Sequence, residues 1–282
     1  MPSRMQVLVC AGGACISSHS QEVKDALERE LHVHHLSDEV KIIETGCMGP
    51  CEHGPLVLVY PEGVLYRRVA ADDVAEIVEE HCLKGRVVQR LLFRSETADR
   101  IVREKRSIPF FEKQLKIVLG NCGEIDPESI EEYIGVGGYE ALGKALTSMS
   151  PQELIGEMKA SRLRGRGGAG FPTGLKWEFV HREAAEQKVI VCNADEGDPG
   201  AFMDRALLEG DPNAIIEGMA IAAYAVGAQH GYIYIRAEYP LAIRRVKIAL
   251  EAARSLGLLG ENILESDFSF DIEVRVGAGA FV

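Results

Sequence analysis

Aromatic side chains are scarce in this chain: they make up 6% of 282 residues, with a single Trp. A surface that stacks nucleic-acid bases needs such rings, so that class is disfavoured. Positive charge is also short, with 31 Lys and Arg against 43 Asp and Glu and a net charge of −12. Nucleic acid and anionic membranes are held by clustered Lys and Arg, and the acid excess argues against both. No apolar leader is visible: Arg4 interrupts Met1–Val9, and a Gly/Ala loop follows Cys10. The longest uncharged run, Gly218–Ile235, carries Gln229 and His230 and is split by a Gly227–Gly231 turn. It reads as a buried helix followed by a buried strand rather than a membrane span. Internal repeats and low-complexity tracts are lacking, and the expectation is a soluble cytoplasmic protein.

What is abundant is apolar residues, cysteine and glycine. A hydrophobic fraction of 46% suffices for a packed core. Seven cysteines without a leader point to a reducing compartment, where paired cysteines more often hold metal than form disulfides. The 29 glycines amount to about 10% of the chain, above the usual ~7%, and they concentrate in a few loops.

Periodicity divides the chain into two α/β parts. In residues 1–88, Gln6–Cys10 and Val40–Thr45 read as strands, and Leu56–Tyr60 and Val64–Val69 flank a Pro61-Glu62-Gly63 turn. Ser18 and Gln21 suggest a capping box for a first helix, and Ala71–Leu83 reads as an acidic amphipathic helix ending at Gly85. Residues 89–125 form a basic connector: Arg86, Arg90, Arg94, Arg100, Arg103, Lys105 and Arg106 make 86–125 the positive stretch of an acidic chain. Such a run is a solvated linker or a segment lying on an acidic neighbour. From residue 126 onward, helices from Pro127, Pro151, Asn213 and Pro240 interleave with strands Lys188–Cys192, Gly231–Ile235 and Phe270–Val276, the pattern of βαβ units. The chain stops within Gly277-Ala-Gly-Ala-Phe281-Val282, which suggests truncation inside a functional loop.

Three constellations carry chemistry. Cys10-x4-Cys15 and Cys47-x3-Cys51 each follow a strand, so two strand ends can bring four thiolates together. Gly12, Gly13, Gly46 and Gly49 remove bulk and leave backbone N–H groups to face sulfur, as a [2Fe–2S] cluster needs. Zinc and metal-free cysteines stay open as alternatives. Cys82, Cys122 and Cys192 stand alone and read as buried small hydrophobes. The second constellation, Leu163–Trp177, packs five glycines between Gly165 and Gly174 with Arg164, Arg166 and Lys176 alongside. It formally matches G-x-G-x-x-G at Gly165, Gly167 and Gly170, but a helix precedes it where the dinucleotide fold requires a strand. Bare N–H groups and three cations suit a phosphate or a planar cofactor. Phe171 and Phe179 could clamp a ring or belong to the core. The third constellation, Asn193-Ala-Asp195-Glu196-Gly-Asp198-Pro-Gly200, closes a strand with carboxylates, where open α/β sheets bind ligands. Its acids suit hydroxyl or amide donors, or a hard cation, although EF-hand spacing is lacking.

Taken in order, these motifs and the terminal Gly277–Phe281 resemble the NADH-binding flavoprotein subunit of respiratory complex I and its relatives in NAD-linked [FeFe]-hydrogenases and formate dehydrogenases. With a thioredoxin-like [2Fe–2S] domain ahead of them, the whole is most similar to the β subunit of soluble, often electron-bifurcating, hydrogenases. The resemblance implies a thioredoxin-like ferredoxin domain followed by a Rossmann-like α/β domain that binds FMN and NAD(H) or NADP(H). It implies cluster ligation by Cys10, Cys15, Cys47 and Cys51. It further implies FMN contacts from Gly165, Arg166, Gly167, Lys176, Asn193, Asp195, Glu196 and Phe281, and NAD(H) contacts from Gly168, Phe171, Phe179 and Asp198. Asp198 and Phe281 depart from the complex I pattern, where Glu and Tyr are usual, and both change polarity beside the flavin. The family continues past Val282 with a Cys-Gly-Glu-Glu motif and a [4Fe–4S] domain. The implied activity is NAD(P)H-dependent electron transfer through FMN, which performs the hydride chemistry. The implied partners are an [FeFe]-hydrogenase catalytic subunit, a small thioredoxin-like [2Fe–2S] subunit and ferredoxin. A formate dehydrogenase or complex I-like assembly, and a [2Fe–2S] docking module that binds no FMN, are the alternatives.

Overall fold

In the computed structural model, which describes residues 3–95, 100–198 and 200–278, the chain folds as two compact units, Met1–Asp126 and Pro127–Val282. The first is built on a four-stranded mixed sheet. Strands β1 (Met5–Cys10) and β2 (Val40–Thr45) run parallel, and β3 (Val57–Tyr60) and β4 (Val64–Tyr66) extend it antiparallel in the order β2-β1-β3-β4. The β-branched runs put Val7, Val9, Val57 and Val59 into one core with Val23, Leu27 and Leu31 of α2 (Ser20–Val33). The expected Ser18 capping box is absent. A short helix α1 (Gly13–Ser17) fills the Cys10–Cys15 loop, and α2 starts after His19, whose left-handed backbone (φ 70°) separates the two helices. The acidic stretch is helical but not uniform: a 3-10 turn (Ala71–Asp73), α3 (Val74–Glu76) and a π segment (Ile77–Leu83) follow one another.

Residues 89–125, expected as a connector, fold with this first unit. Strands β5 (Phe93–Ser95) and β6 (Arg100–Val102) pair antiparallel, and α4 (Pro109–Glu112) follows. Phe93, Val102 and Ile108 share a core cluster with Leu8, Cys10, Cys15, Met48 and Leu58. Apolar residues placed between the arginines cause this, since each one buried against the sheet outweighs the solvation of its charged neighbours. Some of the cations do lie on an acidic neighbour: Arg86 chelates Glu80 at 2.7 and 2.9 Å, and Arg90 pairs with Asp73 at 2.6 Å.

The second unit has a three-stranded, all-parallel sheet, β7 (Val189–Ala194), β8 (His230–Arg236) and β9 (Asp271–Gly277), in the order β7-β8-β9. Helices α5 (Ile130–Gly135), α6 (Glu140–Ser148), α7 (Pro151–Ala160) and α8 (Thr173–Arg182) precede it. The connections carry α9 (Met203–Gly210), α10 (Pro212–Val226) and α11 (Pro240–Ser255). Pro127 itself sits in a turn; Ser129 caps α5 by accepting from the Glu132 N–H at 3.2 Å. The Ser150 capping box with Glu153 starts α7. β7 is an edge strand with Val191 61% exposed, and near the end of β9 Val276 is 53% exposed. Both lie where the sheet runs out of covering helices. Glu217 of α10 is buried and binds the start of α6, accepting from Tyr139 N–H (2.9 Å), Leu142 N–H (3.1 Å) and Tyr133 O–H (2.6 Å). Among the described residues no helix is long and apolar enough to cross a membrane.

Candidate functional site

The four paired cysteines meet at one end of the first sheet. Parallel β1 and β2 end together at Cys10 and Thr45, so the loops that follow lie side by side. The Cys10 thiol hydrogen-bonds Cys15 and Cys47, and Cys47 hydrogen-bonds Cys51, so the thiols form a chain of contacts. Sharing a proton with Cys15, along with burial, pushes Cys10 up to about 11, while the same bond lowers Cys15. The bond to Cys10 and burial raise Cys47, and burial raises Cys51. Three of the four thiols thus hold their protons more tightly than a free cysteine, and a cationic centre that binds them as thiolates must compensate that cost.

The surroundings fit an iron–sulfur cluster. Met48 N–H points at the Cys10 sulfur (3.5 Å), and Leu56 and Gly49 N–H groups donate to Cys15 and Cys47. Glycine is required beside them: a Cβ on Gly12 would stand 3.1 Å from the Cys47 sulfur, and one on Gly54 2.8 Å from the Cys15 sulfur. Among the described residues no three His, Cys, Asp or Glu side chains close on a single point as a one-ion cage. A [2Fe–2S] cluster, if bound, would be held by the four thiolates together. Cys82 and Cys122 are buried, and Cys192 is partly buried.

The second site is a cleft of about 950 Å³ at the C-terminal end of β7. Arg166, Gly167 and Gly168 reach it from the glycine-rich loop, and Asn193, Asp195, Glu196 and Asp198 from the strand end. Phe202, Met203 and Asp204 complete it from the start of α9. The loop joins α7 to α8, with a helix ahead of it as the residues indicated. Its base is tied by Gly165 N–H to the Phe171 carbonyl (2.8 Å) and Thr173 N–H to the Leu163 carbonyl (2.9 Å). Among the described residues, none apart from the chain neighbours has an atom within 4 Å of where a Cβ on Gly167 or Gly168 would stand, so the loop tip faces open space. One cationic end, one acid-lined end and a volume within the usual ~300–1,000 Å³ of ligand clefts suit a phosphorylated, polyhydroxylated cofactor such as FMN.

Several expected residues fall elsewhere. Gly165 serves the loop base and Lys176 is exposed on α8; neither lines the cleft. Phe171 and Phe179 pair with each other, ring centroids 6.3 Å apart and tilted 49°, also outside the lining. Phe281 lies outside the described residues. Glu196 lines the cleft, but its carboxylate is spent on α9, accepting from Met203, Asp204 and Arg205 N–H groups at 2.7, 3.1 and 3.2 Å. Its carbonyl accepts from Arg236 at 2.5 Å and from Tyr239 O–H at 3.5 Å. Asp204, raised by burial and then by Glu196, and Arg236 were missed. The strand-end rule that singled out Asn193 applies equally to Arg236, the last residue of β8.

A thiol tetrad on one α/β unit and a cofactor-sized cleft on the other are the two candidate sites of the chain. Residues 2–81 match the thioredoxin-like [2Fe-2S] ferredoxin family, and residues 158–282 match the Nuo51 FMN-binding domain. The two matches cover separate parts of the chain, one within each unit. The chain is 62% identical over 170 residues to the NADP-reducing hydrogenase subunit HndC of Solidesulfovibrio fructosivorans, covering 60% of this chain and 34% of that one. It is 49% identical over 166 residues to an NADH-quinone oxidoreductase subunit of Rhizobium meliloti (strain 1021), covering 59% and 39%. The chain thus spans little more than a third of these relatives. A solved NAD+-reducing [NiFe]-hydrogenase chain aligns over 99% of this chain and 44% of its own length at 23% identity and a TM-score of 0.47.

Proposed function

We propose that the chain is the FMN- and NAD(P)H-binding part of an electron-transfer subunit in a multimeric soluble hydrogenase. The observation that carries this reading is the presence, in one chain, of a four-thiol site and a glycine- and acid-lined cleft, each inside a matching cofactor-domain family. Support for the hydrogenase comes from the 62% relative, and a complex I-like assembly is the second reading, favoured by the 49% relative.

In this reading the four cysteines Cys10, Cys15, Cys47 and Cys51 hold the [2Fe–2S] cluster. Arg166 with Gly167 takes the FMN phosphate end, and Asn193 and Asp195 take its hydroxyls. Glu196 acts through the backbone, fixing the start of α9 so that the 196–204 wall keeps its shape. Gly168 leaves room for the nicotinamide beside Asp198; Gly165, Phe171, Lys176 and Phe179 lie outside the cleft lining and, with Phe281, would touch only parts of the flavin and dinucleotide that extend beyond it. Bound FMN supplies the exchange of electron pairs with NAD(P)H and of single electrons with clusters, and the chain supplies binding, orientation and charge. The partners in this reading are an [FeFe] catalytic subunit, a small [2Fe–2S] subunit and ferredoxin, with electron bifurcation a property of that assembly. The test is an anaerobic visible spectrum of the purified chain before and after NADH. A flavin band over a broad iron–sulfur background, bleached by NADH, is expected. A folded chain that takes up no flavin on reconstitution refutes the reading.

A further inference from the structure

The ferredoxin family match ends at residue 81, yet the packing around the cysteines does not. Phe93, Val102 and Ile108 are buried in the cluster of side chains that contains Cys10, Cys15 and Met48, and Phe111 packs against it. The chain then passes over the second cysteine loop. The edge of the Phe110 ring lies against Gly49, where a Cβ would stand 2.9 Å from the ring. Gly123 lies on Met48 in the same way, with a Cβ there 3.0 Å from Met48 Cγ. The segment is anchored at both ends. Lys105, only 7% exposed, donates to the Gly123 carbonyl at 3.2 Å and sits 5.3 Å from the centre of the Phe111 ring. Lys116 sits 5.2 Å from the same ring. At the far end Lys41 pairs with Asp126 at 2.7 Å and Thr45 O–H reaches the Ile125 carbonyl at 3.5 Å.

We propose that residues 105–126 are a roof over the Cys47–Cys51 loop, closed by the Phe110–Gly49 contact, which limits access of water and small reagents to the cluster. The inference rests on the reading that the cysteines hold a [2Fe–2S] cluster, and it assigns to this segment a role beyond linking domains. The physical reason is that the stability and potential of such clusters depend on solvent exposure and on N–H donors to sulfur. The roof covers the loop that presents the Met48 and Gly49 N–H groups to Cys10 and Cys47. Cys51, by contrast, remains exposed.

The experiment uses the whole 282-residue chain with its cluster reconstituted. Loss of cluster absorbance is followed after adding an iron chelator, for the wild type, Phe110→Ala, Phe110→Leu and Leu115→Ser. Leu115 is on the same segment but 88% exposed, so its variant is the control. Phe110→Ala is expected to lose its cluster about fivefold faster, the effect of weakening one half-buried contact on local opening. Phe110→Leu should fall between, and it carries the comparison if the alanine variant does not fold. Leu115→Ser should match the wild type. A Phe110→Ala rate equal to the wild type overturns the roof. Should the folded wild type take up no cluster, the cofactor reading fails instead. Hydrogen exchange at Gly49 in the metal-free chain then still decides the packing: faster exchange in Phe110→Ala supports it, and unchanged exchange overturns it.

Discussion

Glu196 offers a sharp test because its carboxylate is engaged by protein, not ligand. Replacing it by Ala removes three backbone bonds at the start of α9, at 2.7, 3.1 and 3.2 Å. Hydrogen bonds to charged groups contribute about 1.5–3 kcal/mol each when buried, and loss of a helix cap costs about 0.5–2 kcal/mol. Glu196 is only partly buried, so water replaces some of this and about 2 kcal/mol is the expected loss. For a unit of this size that lowers Tm by about 6 °C at roughly 2–4 °C per kcal/mol. Glu196→Gln keeps one acceptor oxygen and should lose about half as much. Because the same wall lines the cleft, flavin binding should bear a comparable cost, about 30-fold in Kd for Glu196→Ala. Differential scanning calorimetry and titration with FMN measure the two quantities. A Glu196→Ala chain that melts and binds FMN like the wild type would refute the capping role. One that melts normally but loses FMN would show direct contact instead.

Gly174→Ala should destabilise the second unit by about 1–3 kcal/mol, because its Cβ would stand 2.6 Å from the Lys159 backbone nitrogen and force α7 and α8 apart; a denaturant midpoint identical to the wild type would contradict this. Tyr66→Phe strips a partner from the buried His81 ring (2.8 Å) and from the Val88 N–H (3.1 Å), and chemical denaturation should show a loss of about 1–3 kcal/mol. Burial pushes the Cys82 thiol from 9.0 up to about 11, so the folded state holds its proton where the unfolded chain has lost it. Its contribution is therefore full below pH 9 and is lost as pH rises through 9 to 11, with a slope of about 1.4 kcal/mol per pH unit. Cys82→Ala should flatten that part of the stability profile, and an unchanged slope would remove Cys82 as its cause.

The fold was legible where side-chain period and element coincide. β2 runs over the anticipated Val40–Thr45, and the Pro61–Gly63 turn joins β3 to β4, because β-branched alternation and turn residues act locally. What local pattern did not disclose was neighbourhood. The arginine-rich stretch reads as solvated by charge, yet Phe93, Val102 and Ile108 decide its fate by burial beneath the cysteine site. Likewise the apolar Val189 and Val191 stand exposed, because an edge position in a three-stranded sheet leaves their face uncovered. His19 offers no sequence cue for the left-handed break that separates α1 from α2 and displaces the expected cap.

The sites divide along the same line. Which residues gather was readable: paired cysteines after adjacent parallel strands must converge, and a strand-end acidic loop facing a glycine-rich loop makes a cleft. What each carboxylate does there was not, because an acid's role depends on which donor reaches it first. Glu196 is close enough to the orphan N–H groups of α9 to be consumed by them, and Glu217 is consumed in the same way at α6. Asp195, its side chain 7% exposed and 3.9 Å from Arg236, is held beside a cation that no motif marked. Among the acids that line the cleft, Asp198 is the exposed one and does not serve a helix, so it is the acid most open to an incoming ligand. At Asp198 a one-carbon change in reach therefore alters the cleft and not the fold. Asp198→Glu should accordingly leave the melting temperature unchanged while shifting the affinity for NADH or the reactivity of the bound flavin. A shift in melting temperature comparable to that of Glu196→Ala would show that this acid, too, serves the scaffold.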